Sequence, residues 1–183
     1  MSHHLSPLGI FHTAVSVLPI FLGAAAFINR GRIDPRTWVG KGYLATMLIG
    51  SLTAFGISKT GGFNFGHVLS LMTILLLSAG YAATKARRFP QVAEYVGTFS
   101  LSASYLLLLV FTTTETLTRL PVEHPIASGM DAPILETVRQ GLLVAFLAVI
   151  AYQAWTIRES HARQRHLAAL DVYLTRVAYE TAA

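Results

Sequence analysis

The chain contains no cysteine among its 183 residues. That excludes disulfides, iron–sulfur clusters, thiolate-held metals and a covalently attached c-type haem. Charge is scarce too: 13% of residues are Asp, Glu, Lys or Arg, against about a quarter in a soluble domain whose surface must be wetted. Also missing are a G-x-S-x-G elbow, a phosphate loop, an H-E-x-x-H helix and a supported pair of carboxylates. No hydrolase or transferase chemistry is legible without them. What fills the sequence instead is long apolar runs, with 53% hydrophobic residues and a mean hydropathy of +0.53. That is the composition of a chain whose solvent is lipid. The net charge of +5 does not point to nucleic acid. The basic residues sit in short clusters beside the apolar runs, as anionic headgroups require.

A transmembrane helix needs about 20 apolar residues at 1.5 Å each. Five windows satisfy this: about Leu8 to Ile28, Trp38 or Gly42 to Ile57, Phe63 to Thr84, Val96 to Leu117, and Glu136 to Ile157. The expected fold is all-α, a polytopic bundle of about five spans over residues 1–157, followed by an amphipathic tail over 158–183. The first run lacks a basic leading segment and a clean cleavage site, so it reads as a retained span. The longest connection runs from Pro121 to Pro133, with Glu123, His124, Pro125, Gly129 and Asp131 suited to turns. Five spans do not divide into two equal halves, which argues against a monomeric transporter built from inverted repeats.

Basic residues near the span ends set orientation. One side receives Arg30, Arg32, Arg36, Lys41, Lys85, Arg87, Arg88, Arg158, Arg163, Arg165 and Arg176; the other receives Lys59, Arg119 and Arg139. This bias alternates correctly through all five spans. It places the N-terminus outside and the tail in the cytoplasm, with the protein in the cell's inner (cytoplasmic) membrane. In the tail, Leu167, Leu170, Leu174 and Val177 recur at three- and four-residue intervals, a greasy stripe suited to a partner. The tail could equally lie on the inner leaflet or fold back onto the cytoplasmic loops. Small residues from Gly23 to Ala26, and at Gly50, Ser51 and Gly56, would let spans one and two approach closely.

Ionisable groups inside the hydrocarbon region are costly and invite a functional reading. His12 lies roughly 9 Å into span one and His67 about 6 Å into span three, both from the outer side. The topology gathers them with Asn64, Glu115 and Glu136 into one outer layer. Two imidazoles on facing helices could ligate a b-type haem. With the carboxylates they could hold a divalent metal ion. A quinone headgroup bonded to His and Glu is the third option. Against all three stands the ordinary behaviour of such residues near an interface, which reach for headgroups or pair across helices. At the extreme N-terminus His3 and His4 fit a copper(II) site formed with the terminal amine.

The stretch Arg36-Thr37-Trp38-Val39-Gly40-Lys41-Gly42-Tyr43, with Met47 and Ser51-Leu52-Thr53-Ala54-Phe55, resembles a bacterial membrane-protein family, the multi-pass domain of unknown function 2306. Phe65-Gly66-His67-Val68-Leu69-Ser70-Leu71 and Gly80-Tyr81 extend the resemblance, which covers roughly Leu8 to Pro121. It implies a small helical bundle without an established activity, and a histidine at the position of His67. Many relatives also carry a histidine in the loop before the fourth span, where this chain has Gln91 and Glu94. The functional expectation is a non-catalytic accessory or stabilising subunit of a larger membrane complex, joined to other membrane subunits or to itself. A redox or ligand-binding membrane protein using His12 and His67 is the alternative.

Overall fold

The computed structural model describes residues 6–57, 62 and 64–182. The copper site expected at His3 and His4 lies outside the described residues, as do Lys59 and Phe63. Five helices account for the described fold: α1 (Pro7–Arg30), α2 (Trp38–Ala54), α3 (Phe65–Ala83), α4 (Pro90–Arg119) and α5 (Pro133–Ala182). Among the described residues α1, α3, α4 and α5 are long and apolar enough to cross a membrane. The shortest, α2, has 17 residues, about 26 Å of rise and the low end of what crossing requires. The chain is an all-helical, multi-pass membrane protein.

Local chemistry explains the helix ends. Ser6 caps α1 by accepting from the Gly9 N–H at 3.1 Å, with Pro7 at the first helical position. Gly31 ends α1 at φ 67°, a left-handed conformation that a side chain resists. The Thr37 hydroxyl caps α2 through the Gly40 N–H at 3.0 Å. Pro90 reads in the sequence as the stop after span three, yet it opens α4, where a missing N–H costs nothing. That moves the start of the fourth helix six residues ahead of the expected Val96. Pro19 lies within α1, and the helix continues through it.

Neighbours in sequence are neighbours in space: α1 packs on α2, α2 on α3, α3 on α4 and α4 on α5, and α4 also meets α1 to close a ring of four. Among the described helices α5 packs along α4 alone. Small residues make the close approaches, as expected for spans one and two. The Gly50 surface meets the Ser16 hydroxyl, and Gly56 meets Leu8. Gly23 leaves room for the Tyr105 ring, which a β-carbon there would strike. In that space the Tyr105 hydroxyl donates to the Ile20 carbonyl at 3.0 Å. Behind it the fully buried Tyr43 bonds Ser104 at 2.8 Å. Buried Ser and Thr are thus plentiful inside, whereas Phe21, Leu75 and Val144 face outward. That inversion of the soluble pattern suits lipid.

The tail is no separate element. α5 runs 50 residues without interruption, about 75 Å at 1.5 Å per residue, more than twice the roughly 30 Å hydrocarbon thickness. It does not fold back onto the loops. Leu167, Leu170 and Leu174 remain 58%, 44% and 62% exposed.

Candidate functional site

The N-terminal ends of α1 and α3 place His12 and His67 on opposite sides of α2. The His12 Nδ1 lies 2.9 Å from the Thr53 hydroxyl of α2. Thr53 spends its own proton on the Ile49 carbonyl at 2.8 Å, so the imidazole donates and carries its proton on Nδ1. Ser16 stands 3.5 Å from Nε2, at the outer limit of a bond. His67 serves the start of its own helix. The Asn64 side chain accepts from the His67 N–H at 3.2 Å, and His67 Nδ1 accepts from the Asn64 N–H at 3.1 Å, a reciprocal cap. Its ring stacks on Phe55 with centroids 5.4 Å apart and planes 12° from parallel.

Thr53 and Phe55 are two residues apart, about 200° around a helix. The two imidazoles are therefore held by different sides of α2, and among the described residues α1 and α3 do not approach each other. The expected outer layer does not close into one site. Glu115 pairs with Arg119 one turn along α4. Glu136 accepts from the Gln140 amide at 2.8 Å on α5 and lies 4.0 Å from Arg139. Each carboxylate is satisfied within its own helix. Among the described residues no three His, Asp or Glu side chains are placed to hold a metal ion.

The opposite end behaves differently. Glu94, in the second turn of α4, accepts from Arg32 of the α1–α2 loop at 2.6 Å and from His161 of α5 at 2.7 Å. The edge of Tyr95 meets the His161 ring, centroids 6.2 Å apart at 85°. About two turns further into the bundle, the Gln153 amide donates to the Gly31 carbonyl at 2.8 Å and accepts from Ser102 at 3.0 Å. Gln153 is 3% exposed. A shallow groove of about 320 Å³ between α4 and α5 lies beside it, lined by Tyr95, Phe99, Gln153 and Ile157 among others. These bonds join the α1–α2 loop, α4 and α5, so their chemistry is that of a clamp: charge is neutralised and the helix ends are fixed.

Sequence reasoning missed Arg32, Glu94, Gln153 and His161 as a group. One signal was available for Gln153, a lone amide within the otherwise apolar run from Gly141 to Ile157, since such a group needs internal partners. The chain matches no family model, no curated protein and no solved structure.

Proposed function

We propose that this protein is a non-catalytic accessory or stabilising subunit of a larger membrane assembly, set in the cytoplasmic membrane with its N-terminus outside. The observation that carries this reading is α5, which packs along one helix of its own bundle and continues far past it with its leucines exposed. An apolar stripe of that length in water is costly unless another surface covers it. The ionisable residues of the bundle support the same reading, since Arg32, Glu94, His161, Glu115 and Arg119 are engaged with one another. Kinship with the domain of unknown function 2306, on the motif residues around Tyr43 and His67, forms part of the proposal. Mild detergent extraction from native membranes tests it. A stable species larger than one 19.9 kDa chain is expected, and a clean monomer overturns the reading. A reduced-minus-oxidised haem band from the purified protein, lost in His12→Ala, would replace it with the redox alternative.

A further inference from the structure

The leucine stripe has a period that names its occupant. Leu167, Leu170, Leu174 and Val177 are spaced three, four and three residues apart, the a and d positions of two heptads, and that 3.5-residue period belongs to helices that wind around one another. Leaflet lipid does not cover it, because α5 has neither glycine nor proline between Gly141 and Ala182 to turn it onto the membrane surface and runs through this region as one uninterrupted helix. The bundle does not cover Leu167, Leu170 or Leu174 either. His161 marks the side of α5 that faces α4, and Leu170 lies nine residues on, about half a turn away.

We propose that the projecting half of α5 pairs in parallel with that of a second copy of this chain, as a short coiled coil. The inference rests on the reading of α5 as a contact element and names its partner. A shared membrane holds all copies in one orientation, so a parallel register is imposed. In that register the g position of one helix meets the e position of the other, five residues ahead. Here those are His166 and Asp171, an imidazole N–H donor and a carboxylate acceptor. The same side of α5 within the membrane carries Gly141, Ala145 and Ala148, all exposed, with open space around Gly141. Gly141 and Leu170 are 29 residues apart, about 20° in azimuth, so the small residues let two α5 helices converge above the seam.

The absence of cysteine makes single-cysteine variants clean reporters. In a symmetric parallel pair each seam residue meets its own counterpart. Leu170→Cys and Leu174→Cys, oxidised in native membranes, are expected to give a disulfide-linked species of twice the 19.9 kDa chain mass. Val172→Cys is equally open to solvent, at 66%, but two residues from either leucine and so on the far side; at least a tenfold lower yield is expected. A comparable yield from Val172→Cys would report random collision and overturn the pairing. An adduct of any other mass would overturn self-association while leaving α5 a contact element. No adduct at any position would overturn both. His166→Glu sets like charges opposite Asp171 and should lower the Leu170→Cys yield several-fold, with Asp171→Lys restoring it; failure to restore rules out the parallel register.

Discussion

The two ends of the bundle carry similar side chains and use them in opposite ways. At the end that holds the N-termini of α1 and α3, Glu115 and Glu136 bond within their own helices, His67 caps its own first turn while its ring stacks on Phe55, and His12 bonds to Thr53 of α2. At the opposite end a single carboxylate, Glu94, ties two other elements, and Gln153 ties two more groups about two turns deeper. Histidine and glutamate at a common depth therefore do not make a site. What decides is whether the helices carrying them touch, and α2 keeps α1 and α3 apart.

The contrast predicts a ranking of stabilities, each read as a thermal midpoint in detergent. Gln153→Ala has the largest expected effect, a loss of about 2 kcal/mol, because it orphans the Gly31 carbonyl and the Ser102 hydroxyl in a buried place. Glu94→Ala comes next. Roughly a third of the Arg32 and Glu94 side chains is open to solvent, so screening holds the loss to about 1 kcal/mol. His12→Ala removes one bond between helices, for which about 0.6 kcal/mol is typical in membranes. Glu136→Ala, with its side chain 62% exposed, should stay within about 0.5 kcal/mol. A His12→Ala loss exceeding that of Gln153→Ala would reverse the comparison and return attention to the end that carries His12.

Much of the fold was legible because lipid admits few solutions. With no water to satisfy backbone groups, each apolar run must become a helix, and four of the five helices begin within three residues of the expected window. The exception was Pro90, where one residue type serves both as a stop and as a start. The site was less legible for a different reason. Depth along a span follows from counting residues, but which helices adjoin depends on interlocking shapes such as Tyr105 in the space left by Gly23. Bonds spanning 62 and 67 residues of sequence, as between Glu94 and its two partners, carry no local period.

The reciprocal bond between Asn64 and His67 has a bearing on any spectroscopic mutant. Removing the imidazole by His67→Ala strips the entry of α3 of an acceptor as well as of a candidate ligand, so a lost signal would report two injuries at once. Glutamine at that position keeps an oxygen for the Asn64 N–H, as glutamine does at the third residue of many helices. His67→Gln is thus the substitution that separates coordination from architecture.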